Sequence, residues 1–130
     1  MSRQVNPEPS CRQLEESALA VVKRLLAALP SGLRERAGAV AVDLLPEVPD
    51  DLLDEGIAED TLGLFSGPSV NEPEDEYAWE LRITLFLWNL WDYAEGDWQT
   101  YRDEVRTTYL HELGHYLGLD ETGLEALDLG

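Results

Sequence analysis

Near the start of the chain, apolar residues recur with the period of an amphipathic helix. Between residues 10 and 30 they fall at i, i+3 and i+4 spacing and form one broad face: Leu14, Ala18, Val21, Val22, Leu25, Leu26 and Leu29. Ser10 and Gln13 have the spacing of a capping box, and Pro30 interrupts the pattern. We therefore predict an N-terminal helix that begins after Ser10 and is closed by Pro30.

Three later segments have the period of two that is typical of β-strands. Residues 40–44 alternate and are small or apolar on both faces, which predicts a largely buried strand that stops at Pro46. The short apolar stretch at residues 61–65 predicts a second strand. Residues 81–87 alternate most regularly and predict the third.

The remaining segments up to residue 80 are polar and rich in Pro and Gly. Residues 1–9 contain two prolines, so we expect a flexible lead-in. Residues 47–60 are acidic, with one helical turn expected at residues 51–54. Residues 66–76 alternate Gly and Pro with acids and predict a loop.

A second long helix is predicted near the end of the chain. Asp97 is placed to cap its start, and Gly118 is placed to stop it after Leu117. The order helix, strand, strand, strand, helix then predicts an α+β fold of two layers, in which a small mixed sheet packs on the N-terminal and C-terminal helices. At 130 residues, the chain has the length of a single domain spanning residues 1–130.

Composition narrows the possible partners. The chain has 27 Asp and Glu against 9 Lys and Arg, a net charge of −18, so it should repel nucleic acid and anionic lipid. The N-terminus lacks the apolar core of a signal peptide, and no apolar run is long enough to span a bilayer. Cys11 is alone and cannot form an intramolecular disulfide. We expect a soluble cytoplasmic protein that binds neither nucleic acid nor membranes.

The candidate chemistry lies in the second helix, which contains an H-E-x-x-H motif formed by the only two histidines of the chain. Four residues advance by about 40° around a helix, so His111 and His115 project side by side and can share one tetrahedral zinc ion. Glu112 is then close enough to reach a metal-bound water without being a ligand. Two surface histidines in an acidic protein would be the alternative, but that reading explains neither Gly118 nor the acids that follow it.

A catalytic zinc site needs three protein ligands and one open position. Because both histidines are already used, the third ligand must be a carboxylate. A sharp turn at Gly118 would bring the chain back toward the metal and make the ligand Glu121, six residues after His115. Asp120 is the second choice, and a solvated surface acid is the alternative for each.

The stretch His111-Glu112-Leu113-Gly114-His115-Tyr116-Leu117-Gly118-Leu119-Asp120-Glu121 resembles the HExxHxxGxxD motif of the small bacterial zincin-like metallopeptidases called mini-zincins. The similarity extends back through residues 62–65 and 83–86 and covers the chain from about residue 38 onward. Two features depart from the family pattern: Glu121 stands where Asp is usual, and there is no Met-turn, since Met1 is the only methionine.

The resemblance implies a zincin-like α+β domain with Zn²⁺ as cofactor, His111 and His115 as ligands, and Glu112 as general base. It implies hydrolysis of peptide bonds in a peptide or protein substrate that the sequence does not identify. Zincins commonly bind substrate as an extra strand on a sheet edge, and residues 81–87 are the candidate edge.

Two other functions compete with a zinc peptidase. A zincin-fold protein with weak or no activity could act as a metal-binding or interaction module. An RNA-processing metalloprotein is disfavoured by the negative charge and by an acid at the position where such proteins have a third histidine.

Aromatic residues near the motif are candidates for structural roles and for a catalytic role, and the sequence does not decide between these roles. Four tryptophans surround the third strand and the start of the second helix, which is typical of a core or a homodimer interface: Trp79, Trp88, Trp91 and Trp98. Tyr101, Tyr109 and Tyr116 have the chemistry of an oxyanion stabiliser, but Tyr109 and Tyr116 lean toward the packed side of the helix. We assign no such role to any of them.

Overall fold

The computed structural model describes residues 8–67 and 81–118. These residues form the following elements in chain order: α1 (Cys11–Ala28), α2 (Ser31–Gly38), β1 (Ala41–Leu45), α3 (Asp50–Asp54), β2 (Gly63–Ser66), β3 (Arg82–Phe86), α4 (Leu87–Tyr93) and α5 (Trp98–Leu117). Residues 1–7 of the expected lead-in and most of the expected loop at 66–76 lie outside the described residues.

Helix α1 begins and ends where the sequence predicts. The Ser10 hydroxyl accepts a hydrogen bond from the Gln13 backbone N–H at 3.1 Å, and the Gln13 side chain accepts one from the Ser10 N–H at 2.8 Å. This reciprocal pair is the predicted capping box. The predicted apolar face is buried at Leu14, Ala18, Val22, Leu25 and Leu29.

The three strands form one mixed sheet in the order β1-β3-β2. Strand β1 pairs with β3 in parallel, with Val42 opposite Ile83, and β2 pairs with β3 antiparallel, with Gly63 opposite Leu85. A sheet with one parallel and one antiparallel pair of strands is a mixed sheet, as predicted. The short helix α3 also lies where one helical turn was expected.

The prediction that residues 81–87 form a sheet edge is wrong, because β3 is the central strand. Arg82, Thr84 and Phe86 share one face of the strand, and only Arg82 is exposed, whereas Thr84 and Phe86 are buried at 6% and 0% exposure. Burial on both faces is the property of a central strand.

Strand β1 is also less buried than predicted. Its residues are exposed or half-buried, because it lies at one edge of the sheet. Val42 and Leu44 still pack against the core, while Asp43 on the other face forms an ion pair with Arg82 of β3. The strand itself and its stop at Pro46 are as predicted.

Two helices were not predicted. Helix α2 follows Pro30 directly and buries only Ala37, so it offers no apolar period to recognise. Helix α4 begins at Leu87, which the alternating pattern assigned to the third strand. The buried residues of the helix and of its C-cap have helical spacing: Leu87, Leu90, Trp91 and the C-cap Ala94. The alternation of residue types that marks β3 therefore continues by chance past the end of the strand and into α4.

The α+β class with a small mixed sheet and a C-terminal motif helix is as predicted, but α1 packs mainly on the other helices instead of on the sheet. Helix α5 packs against β2 and β3 on one face of the sheet, and α1 packs against α4 and α5. Ile83 and Leu85, both fully buried, share one core with Leu14, Val105 and Leu113 from the two long helices. The fold is a two-layer α+β domain core with the motif helix at its centre. Within the described residues, no helix combines the length and the apolar character needed to cross a membrane.

Candidate metal centre

Helix α5 carries the motif, and its two ends are fixed by local chemistry. The Asp97 carboxylate accepts hydrogen bonds from the Thr100 backbone N–H at 2.9 Å and from the Thr100 hydroxyl at 2.8 Å. These two bonds hold the pKa of Asp97 below its usual value. At the other end Gly118 adopts a left-handed conformation with φ of 72°, which ends the helix after Leu117 as predicted.

The three candidate side chains lie together in the last turns of α5. His111, Glu112 and His115 each offer a donor atom, and these atoms all lie within 4.8 Å of one another. The two imidazole rings are 5.0 Å apart between centroids and nearly perpendicular, at 87°. Both histidines are exposed and Glu112 is half-buried. In the described part of the chain, no other group of three such residues comes this close.

The donor set fits zinc by its chemistry. Zn²⁺ binds neutral imidazole nitrogen at about 2.0–2.1 Å, so small rotations of two exposed rings at i and i+4 suffice to place both nitrogens on one ion. Both rings are exposed, so their nitrogens are accessible to an ion. The net charge of −18 also favours a cation near this surface.

The third ligand predicted from the sequence lies outside the described residues. Glu121 and its alternative Asp120 both follow Gly118, the last residue that the structure describes. The left-handed Gly118 supplies the helix stop that the prediction requires. The choice between the two carboxylates stays a prediction.

The side of α5 opposite the histidines anchors the helix, as predicted. Leu113 and Leu117 are buried, at 1% and 7% exposure, and Leu110 is partly buried against the same core. Gly114, which lies between Leu113 and His115 in the motif, is also buried. The histidines therefore project from a helix whose other face is fixed in the core.

The strand that contacts α5 on both sides of the motif is β2, which the sequence predicts as a strand but not as the neighbour of the motif. The Phe65 and Tyr116 rings are 5.8 Å apart between centroids. Gly63 lies against Thr108, one helical turn before His111. Among the strands that the structure describes, β2 lies at an edge of the sheet, and no periodic signal in four residues could have revealed that order. The edge nearest the candidate metal centre is thus β2 rather than β3.

The tyrosines of α5 are part of the core. Tyr101 and Tyr109 are fully buried, and Tyr116 is 8% exposed, which confirms that Tyr109 and Tyr116 face the packed side. Burial raises the pKa of Tyr109 to about 12 and raises the pKa of Tyr101 further above its usual value. None of the three is assigned to catalysis.

The two fully buried tyrosines predict opposite effects when their hydroxyls are removed. The Tyr101 hydroxyl donates to the Leu14 carbonyl at 2.8 Å, whereas the buried Tyr109 hydroxyl has no partner among the described residues. We expect Tyr101→Phe to lower the free energy of unfolding by about 1 kcal/mol and Tyr109→Phe to raise it by about 1 kcal/mol. Urea denaturation of both variants measures this, and an equal loss in both would mean that the Tyr109 hydroxyl is hydrogen-bonded in solution.

The tryptophans lie at the other end of α5. Trp91 and Trp98 are 4.7 Å apart between ring centroids, and both contact Tyr101 edge-on at 5.7 Å and 5.5 Å. This cluster joins α4 to the first turn of α5, about three helical turns before His111. It packs in the core, which is one of the two interpretations that the sequence offered, and Trp79 lies outside the described residues.

Comparison with known families agrees with the site. The model of the zincin-like metallopeptidase family matches residues 38–130, more than two thirds of the chain. The chain belongs to the zincin-like metallopeptidase family, as the motif indicated. Among curated proteins, the chain finds no match.

Proposed function

We propose that this protein is a zinc-dependent peptidase. The observation that carries the proposal is the cluster of His111, Glu112 and His115 on one anchored helix, in a chain of a metallopeptidase family. His111 and His115 would hold the ion, with Glu121 as the third ligand and Asp120 as the alternative. When bound, zinc would act as a Lewis acid on the scissile carbonyl and lower the pKa of water to about 7.

Glu112 is proposed as the general base. It lies one position after His111, its donor atom is within 4.8 Å of both imidazoles, and it is half-buried. Its carboxylate would take the proton of the attacking water and deliver it to the amine that leaves when the peptide bond breaks. A proton acceptor at this position serves hydrolysis, whereas a metal site with only a structural role has no need of one.

The substrate is proposed to be an extended peptide that adds to the edge of β2 that has no strand partner among the described residues. An added strand would form hydrogen bonds with the backbone groups of that edge, and its main chain would pass beside the last turns of α5. The acidic chain argues against a nucleic-acid substrate, because phosphate contacts require Lys and Arg. A cytoplasmic setting remains part of the proposal, supported by a lone cysteine in a chain of this length.

The test is zinc-dependent cleavage of a panel of synthetic peptides and of one unfolded protein. We expect the zinc-loaded protein to cleave, a chelator to abolish cleavage, and stoichiometric zinc to restore it. Bound zinc without cleavage of any substrate would contradict the proposal and would favour the alternative, a zincin-fold interaction module.

A further inference from the structure

The contact between β2 and α5 is unusually close at one residue. Gly63 is the first residue of β2 and lies opposite Leu85 of β3. A β-carbon at position 63 would lie 2.5 Å from Cγ2 of Thr108, 3.3 Å from Cδ2 of Leu85 and 3.4 Å from the carbonyl oxygen of Thr84. Carbon atoms attract best at about 3.5–4.0 Å, so the first of these contacts is repulsive. Only glycine allows α5 to approach β2 this closely.

The helix residue in that contact lies on the metal-binding face. Thr108 precedes His111 by three residues and Glu112 by four, so all three project from the same side of α5. It is buried, at 8% exposure, against the strand. Beyond the motif, Tyr116 contacts Phe65, two residues along β2 from Gly63. The strand is therefore in contact with α5 on both sides of the motif turns.

The other edge of β2 has no strand partner among the described residues. A peptide bound there would be fixed to β2 by backbone hydrogen bonds, whereas the zinc ligands belong to α5. The separation of β2 from α5 thus sets how far a bound peptide lies from His111 and His115. At Gly63 that separation leaves no room for a β-carbon beside Thr108.

We propose that Gly63 is a positioning residue for peptide hydrolysis. Its missing side chain lets the Thr108 methyl group lie against the strand, which fixes the distance between the free edge of β2 and the histidine pair. The inference rests on the proposed peptidase function, but the geometry that it invokes is measurable without any substrate.

Gly63→Ala is expected to lower kcat by about 100-fold, because a displacement near 1 Å of a scissile bond has an effect of that order. The KM is expected to stay within a few fold, since the backbone groups of the β2 edge remain in place. The kcat is calculated per bound zinc, and circular dichroism tests whether the variant is folded.

Two double variants separate positioning from a general loss of structure. Gly63→Ala with Thr108→Ser removes the clashing methyl group and keeps the hydroxyl, so we expect kcat to recover to within a few fold of wild type. Gly63→Ala with Thr108→Val has the same substitution at position 63, but valine carries a methyl group on both branches of its side chain. In a helix, valine is held almost entirely in one χ1 rotamer, which keeps a methyl group in each of the two positions that the threonine methyl can occupy, so kcat is expected to stay low.

A second readout needs no activity. Cu²⁺ alone, bound at the histidine pair, broadens NMR signals of nearby backbone amides with a steep dependence on distance, and imidazole binds Cu²⁺ tightly. We expect the broadening at residues 64–66 to weaken in Gly63→Ala, to return with Thr108→Ser, and to stay weak with Thr108→Val.

The outcomes distinguish this inference from the proposed function. Unchanged kcat and broadening in Gly63→Ala would overturn the positioning role, as would equal recovery with Ser and Val. If the wild-type protein cleaves no peptide, the proposed function fails and the broadening series alone decides the positioning role. If Gly63→Ala does not fold, the Gly63→Ala/Thr108→Ser protein decides: wild-type broadening supports the inference, and weak broadening contradicts it.

Discussion

Glu112→Gln is expected to lower kcat for peptide hydrolysis by about 10³-fold while the protein keeps its zinc. Glutamine has nearly the same shape as glutamate but cannot accept a proton from water. The ligands proposed from the sequence are His111, His115 and a carboxylate after Gly118, so the substitution leaves the metal in place. The measurement is kcat per bound zinc, with metal content determined on the same sample.

Glu104→Gln is the matched control for this variant. Glu104 is also half-buried on α5, lies eight residues before Glu112, and loses the same negative charge when substituted. We expect its activity to remain close to wild type. A similar loss in both variants would assign the effect to charge rather than to proton transfer, and loss of zinc in Glu112→Gln would make Glu112 a ligand.

Leu113→Ala is expected to lower the free energy of unfolding by about 3 kcal/mol, which is a large part of the 5–15 kcal/mol typical of a domain. Leu113 is 1% exposed and lies on α5 between the two histidines, where its side chain anchors the helix in the core. Removing it leaves a cavity below the motif turns. Urea denaturation followed by tryptophan fluorescence measures the loss.

Leu19→Ala removes the same atoms from a surface position. Leu19 is 42% exposed on α1, so its truncation is expected to change the free energy of unfolding by less than about 0.5 kcal/mol. Equal costs for the two variants would mean that α5 is not held in the core through Leu113.

The motif helix was the part of the structure most open to prediction from sequence. Single residues determine where it starts and stops. The Asp97 side chain accepts a hydrogen bond from the first turn, and Gly118 adopts the left-handed conformation that ends the last turn. The histidine pair follows from helical spacing alone. The capping box at Ser10 made the start of α1 equally predictable from the sequence.

Strand order and the helices α2 and α4 could not be predicted, because they depend on contacts between distant segments. The alternation in β3 is the same for an edge or a central strand, and only the buried Thr84 and Phe86 distinguish the two. Helix α4 was hidden by an alternating pattern that ran past the end of β3. The close approach of Gly63 to Thr108 likewise joins residues far apart in the chain.

The central claim is that the histidine pair holds zinc, and metal content tests it most directly. Wild type, His111→Ala and Glu104→Gln would be purified side by side without chelator and analysed by mass spectrometry. We predict about one zinc per chain in wild type and in Glu104→Gln, as for a mononuclear site, and its loss in His111→Ala. No zinc in wild type after loading with excess metal, or equal zinc in His111→Ala, would contradict the account.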